Sequence, residues 1–155
     1  MPDVEAASDG YFNATIGGVL DPSGVVKGWA IERVSALLSA AGVRSHAVNG
    51  GGDMQLTGAR SDGSPWRIGV AHPLRSGALA TVVEGRDFAV PPRDVPSGVV
   101  TSSIRGPAEH PSALASVTVT GLGITLVDAY ATAAYVMGAS SRDWIEDLDG
   151  YEAFR

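Results

Sequence analysis

A run of mostly apolar residues from Leu126 to Met137 most constrains how this chain can fold. A helix that is apolar on all sides belongs in the core rather than at the surface. Asp128 and Thr132 are four residues apart, so their side chains leave such a helix on one face. Burying a lone carboxylate is costly, and a hard cation held by oxygen ligands, Mg2+ in particular, would offset that cost. The alternative is that Asp128 bonds to a neighbouring element and Thr132 bonds back to its own helix.

The length of 155 residues suits one domain, 1–155, with a single core. Helix formers and β-branched residues are both frequent, which predicts a mixed α and β protein. The net charge of -6 argues against nucleic acid as a partner, and no apolar stretch is long enough to span a membrane. The absence of cysteine excludes cysteine-bound zinc and a thiol nucleophile. The first residues form no signal peptide, which predicts a cytoplasmic chain as it stands, or an extracytoplasmic one if it is cut from a longer precursor.

Periodicity and turn signals predict the order of elements along the chain. One helix is expected near 28–41, with Glu32, Arg33 and Ser35 outside its apolar face, and the buried helix near 124–137. Residues 1–27 are interpreted as turns around short extended pieces, with a turn at 22–24, and 91–98 as a proline-rich loop. Short strands are expected around 44–49, 53–59, 66–70, 78–83, 88–90, 99–102 and 116–119, and at 151–154 after a last helix near 140–148.

Two loop motifs could hold an anion such as phosphate. In the first, Lys27 lies beside a predicted helix start, where free amides and the helix dipole attract anions. The alternative is a plain loop-to-helix connection with an exposed lysine. In the second, Gly50, Gly51 and Gly52 precede Asp53, so backbone amides can approach a ligand closely. The alternative there is a flexible hairpin turn.

The three histidines, His46, His72 and His110, show no metal-ligand spacing, and each is interpreted as an ordinary residue rather than a catalytic one. No Gly-x-Ser-x-Gly segment is present, which argues against a serine hydrolase. The residues alone therefore leave the apolar helix and the two loop motifs as the candidate ligand sites.

Taken together and in order, these segments resemble the ApbE family, the FAD:protein FMN transferases. Segment 21–30 (DPSGVVKGWA) is similar to the family's DLGGIAKGYA, 48–53 (VNGGGD) to its VNAGGD, and 66–73 (WRIGVAHP) to its WxIGIxxP. Segment 8–15 (SDGYFNAT) resembles GGAFDxT, and 116–138 resembles the C-terminal signature. The resemblance spans nearly the whole chain.

The resemblance implies an α+β fold that binds FAD and uses Mg2+ to transfer FMN onto a Ser or Thr of an acceptor flavoprotein. By position, Asp128 and Thr132 match the family's metal-liganding side chains, and Gly24 matches the residue that gives a backbone carbonyl. The expected flavin-nucleotide contacts are Lys27, Gly51, Gly52 and Asp53 of the loop motifs and Tyr11, Phe12 and Asn13 of the N-terminal motif, where Asn13 replaces an Asp.

Two departures from the family pattern shape the expected activity. Family members carry a substantial segment before GGAFDxT, whereas few residues precede Tyr11 here. We expect part of the flavin pocket to be missing, and a second copy or a partner chain to cover the exposed apolar surface.

The second departure concerns the family's HxxDPxTG motif. In the preferred alignment, 104–109 matches its end, and the His and Asp are both absent; in the other, His110 stands in for the His. Because general acid-base groups contribute strongly to rate, we expect slow transfer or none. The alternatives are a non-catalytic flavin-nucleotide or metal-binding domain of the same fold, and a ligand-free structural or interaction domain.

Overall fold

A computed structural model describes residues 4–16, 18–94 and 116–154, which form an α+β fold, as expected. No helix in these ranges is long and apolar enough to cross a membrane. In chain order the elements are α1 (Val4–Ala7), β1 (Thr15–Ile16), β2 (Val19–Leu20), α2 (Ser23–Ala40), β3 (His46–Gly50), β4 (Asp53–Thr57), β5 (Trp66–Ala71), β6 (Leu79–Gly85), β7 (Phe88–Val90), β8 (Pro92–Asp94), β9 (Ser116–Thr120), α3 (Ile124–Met137), a 3-10 turn (Gly138–Ser140), α4 (Ser141–Glu146) and β10 (Glu152–Phe154).

The described strands pair antiparallel in small sheets. Two sheets have three strands, in the orders β3-β4-β7 and β10-β9-β8, and the pairs β1-β2 and β5-β6 form separate hairpins. A bridge between Ala89 and Gly121 joins β7 to the residue that follows β9. The two three-stranded sheets therefore lie side by side, and α3 packs against strands of both.

Helix α3 forms the centre of the core, as its sequence predicts. Ten of its fourteen residues are buried, so no face of the helix is left to water. It begins at Ile124 and ends at Met137, and Gly138 follows with a φ of 71°. A glycine adopts this left-handed conformation without the steric cost that a side chain would add, and it stops the helix there.

The core has two parts. The larger part surrounds α3, and a smaller cluster lies between the β5-β6 hairpin and the sheet that contains β4 and β7. The fully or nearly fully buried members of this hairpin cluster are Leu56, Val70, Val83, Phe88 and Val90.

Helix α2 starts earlier than the sequence predicts. The expected start was near residue 28, with a turn at 22–24, but the helix begins at Ser23, and Pro22 occupies the N-cap position. The amides of Val25 and Val26 donate to the carbonyl of Pro22 at 2.9 and 3.0 Å. Proline suits a helix start because its ring fixes φ near the helical value. The prediction of a separate turn at 22–24 is therefore wrong, because these residues begin the first turn of α2.

Polar contacts fix the direction of α2 along β4. Lys27 meets Asp53 at the start of the strand, and the Ser35 hydroxyl lies 3.2 Å from that of Thr57 at its end. Eight helical residues rise about 12 Å and four strand residues about 13 Å, so the two spacings match. Helix and strand therefore run parallel, which places the start of α2 beside the glycine loop.

Two short elements of the structure, one helix and one strand, differ from the sequence prediction. Residues 1–27 were expected to contain only turns and extended pieces, yet Val4–Ala7 is helical, and the indole nitrogen of Trp144 donates to the Ala7 carbonyl at 2.9 Å. Pro92–Asp94 pairs with β9 instead of lying in a loop. Proline is tolerated there because β8 is at the edge of its sheet within the described part of the chain. The predicted strand at 99–102 lies outside the described residues.

Three aromatic rings close the core next to α3. The Tyr130 ring meets Trp144 and Tyr151 edge to face, with centroids 5.6 and 5.0 Å apart. Burial raises the pKa of Tyr130. Burial, with smaller contributions from Tyr130 and Glu32, also raises the pKa of Tyr151. Both phenols therefore stay neutral to higher pH than an exposed tyrosine.

Candidate functional site

The two loop motifs meet in an ion pair. The Lys27 ammonium lies 2.5 Å from Oδ2 of Asp53, whose side chain is 3% exposed against 45% for Lys27. Gly51 and Gly52 adopt φ of 67° and 102°, and the Gly52 amide donates to the Asn49 side chain at 2.9 Å. The loop thus turns tightly and directs Asp53 inward, while Lys27 keeps an accessible surface for an anion.

Asp128 and Thr132 lie in the buried helix α3, with exposures of 0% and 6%. The Thr132 hydroxyl donates to the main-chain oxygen of Asp128 at 3.0 Å. The back-bonding considered for Thr132 on sequence grounds therefore forms. It uses the hydroxyl hydrogen alone, so the lone pairs of the oxygen remain able to bind a cation.

Helices α2 and α3 approach closely at Gly28. A Cβ atom at Gly28 would lie 2.8 Å from the carbonyl oxygen of Ile124, so the backbones leave no room for a side chain. Gly24 is one turn before Gly28, and Asp128 is one turn after Ile124. Each is therefore about 6 Å along its helix from this contact.

The residues predicted for the metal site fit a hard cation by their chemistry. Asp128 would give a carboxylate oxygen, Thr132 a hydroxyl oxygen and Gly24 a carbonyl oxygen. Mg2+ is typically held by one or two carboxylates together with phosphate oxygens and water. Among the residues that the structure describes, no three His, Asp or Glu side chains cluster to form a separate metal site.

The N-terminal motif packs into the core beside α1. Phe12 is 8% exposed and belongs to the core around α3, with Tyr11 packed against it. The Asn13 side chain donates to the Glu5 carboxylate at 3.0 Å and accepts from the Thr15 amide at 2.6 Å. These contacts give the three residues a structural role, and their role toward flavin stays a prediction.

The described histidines have structural partners. His46 is buried, and its ring nitrogens lie 2.8 Å from the Ser35 hydroxyl and 3.2 Å from the Val43 carbonyl oxygen. The His72 ring accepts from the Leu74 amide at 3.1 Å within a hairpin turn. Predicted candidate His110 lies outside the described residues.

Two polar residues that the sequence interpretation did not select hold the start of α3. Glu32 of α2 accepts from Thr125. Gln55 of β4 contacts the segment just before α3. Glu32 was placed on the outer side of α2, where a solvated charge is expected. The sequence signal that could have pointed to Gln55 is a row of polar residues at alternate positions of β4, which share one face of the strand. The row consists of Asp53, Gln55 and Thr57.

A cleft of about 460 Å3 lies between the β6-β7 turn and the segment 146–152. Its described lining includes none of the predicted site residues. Five carboxylates on its walls would repel the phosphates of a nucleotide. These are Glu84, Asp87, Glu146, Asp149 and Glu152.

Comparisons with known proteins agree with the resemblance seen in the sequence. The profile of the ApbE family matches residues 14–155. A curated relative, FAD:protein FMN transferase from Vibrio cholerae serotype O1, is 32% identical over 72 residues. That match covers 46% of this chain and 22% of the relative.

Solved structures share the fold. A variant of Flavin Transferase ApbE from Vibrio cholerae superposes with a TM-score of 0.77 at 20% identity, covering 97% of this chain and 70% of that one. The apo form of flavinyl transferase ApbE from Pseudomonas stutzeri gives a TM-score of 0.76 at 23% identity, covering 98% and 65%. At these identities the similarity concerns the fold. The chain spans only part of the length of each relative.

Proposed function

The chain belongs to the ApbE family, and on that premise we propose that it is a Mg2+-dependent domain of the FAD:protein FMN transferase type, with slow turnover. Its substrates would be FAD and a Ser or Thr of an acceptor flavoprotein. In the reaction, the acceptor oxygen forms a bond to the FMN phosphorus, the pyrophosphate bond breaks, and AMP leaves with the bonding electrons.

The observation that carries the proposal is the meeting of Lys27 and Asp53 at 2.5 Å. It brings a half-exposed cation at the start of α2 next to a loop with two glycines in left-handed conformations. The positive end of a helix dipole and a lysine together favour a phosphate group. Asp53 would position Lys27, whose ammonium would hold the pyrophosphate oxygens.

The metal ligands in this proposal are Asp128, Thr132 and the carbonyl of Gly24. Bound Mg2+ supplies Lewis-acid stabilisation of charge on the phosphates. The core around α3 excludes water from the Asp128 carboxylate, which is fully buried. Electrostatic attraction is stronger in such a site than in water. His110 remains the candidate to accept the acceptor hydroxyl proton.

A second candidate function is flavin-nucleotide or metal binding without turnover. It is favoured by the sequence between β8 and β9, which lacks the family's HxxDP motif in the preferred alignment. The Lys27 and Asp128 groups would then bind FAD and Mg2+ while the acid-base group is missing.

One experiment separates these functions. The chain is incubated with FAD, Mg2+ and an acceptor that carries the family's Thr target, and covalent FMN is followed by mass spectrometry. We expect slow, partial modification that stops with EDTA and with an acceptor in which Val replaces the target Thr. FAD binding by calorimetry without modification would favour the second candidate. Neither binding nor modification would refute both and leave a structural or interaction domain.

We also propose that a second copy of the chain covers the outer face of α2. Val26, Trp29, Val34 and Leu37 are 46–60% exposed there, and they recur at helical spacing on a helix of 18 residues. Apolar patches of this kind mark association surfaces. In sedimentation equilibrium we expect a dimer that Trp29→Ser dissociates, whereas Leu74→Ser, at another exposed leucine, leaves it intact. A monomeric wild type would contradict this proposal.

A further inference from the structure

The first turn of α3 is capped by side chains from other elements. Oε2 of Glu32 accepts from the Thr125 amide at 3.1 Å and from the Thr125 hydroxyl at 2.5 Å. The Gln55 amide group donates to the Leu122 carbonyl at 3.0 Å and accepts from the Ile124 amide at 2.9 Å. Helix starts need such acceptors because their first amides have no partner within the helix.

We infer that Glu32 is a positioning residue for the candidate metal site: with Gln55 it fixes the start of α3 against α2 and β4, and so sets the place of Asp128. This inference rests on the proposed function. Glu32 itself would touch neither the metal nor the substrate, and would act through Thr125 and the helix that follows.

The arrangement of the site on three elements explains the need for such a residue. Gly24 and Lys27 are on α2, Asp53 is on β4, and Asp128 and Thr132 are on α3. Glu32, Gln55 and Thr125 belong to the same three elements and meet at one junction. Mg2+ requires its ligands in near-ideal octahedral geometry, so a small shift of α3 would weaken it.

The close contact at Gly28 also helps to set the distance between α2 and α3. The close approach of Gly28 to Ile124 stops α3 from moving nearer to α2, while the two hydrogen bonds to Glu32 stop it from moving away. Repulsion and attraction at neighbouring positions define one separation of the two helices. This separation therefore also sets the position of Asp128, which lies one turn into α3.

The charge of Glu32 has a second effect. A carboxylate at the start of α3 offsets the positive end of that helix dipole. A phosphate is therefore not attracted there, and the start of α2, where Lys27 lies, remains the better anion site.

The test compares Glu32→Ala and Glu32→Gln with Val83→Ala. Val83 is a buried residue of the hairpin cluster, and truncating it destabilises the fold away from α3 and from the junction. FAD binding is measured by calorimetry at a series of Mg2+ concentrations. We expect Glu32→Ala to raise the apparent Mg2+ Kd by about 10- to 100-fold, the range for residues that orient metal ligands.

The two control variants sharpen this result. Glu32→Gln keeps an acceptor oxygen and should recover much of the Mg2+ affinity, and Val83→Ala should leave the Mg2+ Kd near that of wild type. If Glu32→Ala does not fold, Thr125→Val, which removes one of the two donors, takes its place. Equal Mg2+ Kd values in wild type, Glu32→Ala and Thr125→Val would overturn the inference and leave the proposed function standing.

A metal-free measurement tests the junction independently. In hydrogen exchange without Mg2+ or FAD, Glu32→Ala should speed exchange at 124–128 more than in the rest of α3. Unchanged exchange there would overturn the inference. Wild type that binds FAD with no dependence on Mg2+, or does not bind it, would refute the proposed function and the inference with it.

Discussion

The hydroxyl of Thr132 donates to the main-chain oxygen of Asp128, 3.0 Å away and one turn earlier in α3. The bond fixes the orientation of the hydroxyl on the helical face that also carries the Asp128 side chain. Because the hydrogen is engaged with the helix, the oxygen lone pairs are left on the outer side of the bond. In the proposed function this face of the helix binds the cation.

Replacing Asp128 by Asn tests that arrangement. The amide keeps the size of the side chain and removes its charge, so we expect Mg2+ binding in the presence of FAD to weaken by about 2 kcal/mol or more. The measurement is a Mg2+ titration by calorimetry. Asp143→Asn makes the same change at an exposed position of α4 and should leave the titration unaltered. Equal titrations for wild type and Asp128→Asn would exclude Asp128 as a ligand.

Replacing Lys27 by Ala should weaken FAD binding by about 1–3 kcal/mol, the range for a charge-assisted hydrogen bond. The loss is expected because Lys27 is the cation beside the glycine loop and the start of α2. Arg33→Ala removes an exposed cation elsewhere on the same helix, and its FAD affinity should match that of wild type. The placement of the phosphates near Lys27 would be wrong if calorimetry gave the same affinity for Lys27→Ala.

Replacing Gly28 by Ala should destabilise the fold by about 1–3 kcal/mol, the usual range for overpacking. The added Cβ would lie 2.8 Å from the Ile124 carbonyl oxygen, and backbone atoms cannot rotate away. Urea denaturation measures the change, with Ser39→Ala as a substitution at an exposed position of the same helix. A wild-type unfolding midpoint for Gly28→Ala would show that the two helices separate easily.

Alkaline pH should destabilise the protein through its buried phenols. The folded-state pKa of Tyr151 is raised, so its contribution to stability is complete below the unfolded pKa of about 10 and is lost as pH rises through the folded value. Urea midpoints between neutral pH and pH 11 should fall less in Tyr151→Phe than in wild type. Parallel curves would mean that Tyr151 ionises equally easily in the folded and unfolded chain.

The extent of α3 was predictable because every local signal agreed. Its apolar composition required burial, and Gly138 marked its end. The start of α2 was misjudged because Pro22 and Gly24 are common in turns as well as at helix starts. Only the packing of α2 along β4 decides between these two uses, and that packing involves residues distant in the sequence.

The contact between two of the candidate site residues could not be predicted from the sequence. Lys27 and Asp53 were proposed from separate motifs, and their direct contact depends on the parallel alignment of helix and strand. Glu32 was missed because its partner Thr125 lies 93 residues away. A charge on an amphipathic helix is usually solvated, so sequence periodicity alone predicts exposure for it. Ser35 was misplaced for the same reason, since it is buried against His46.

The hairpin cluster has a consequence for how chains of this fold diverge. Strands β5 and β6 pack their own small core against β4 and β7, apart from the residues around α3. Changes in the length of the exposed turn at 74–78 therefore cost little elsewhere, since surface turns tolerate insertions. Lineages can remodel this turn while the central helix stays constant, so variation between relatives is expected to accumulate there first.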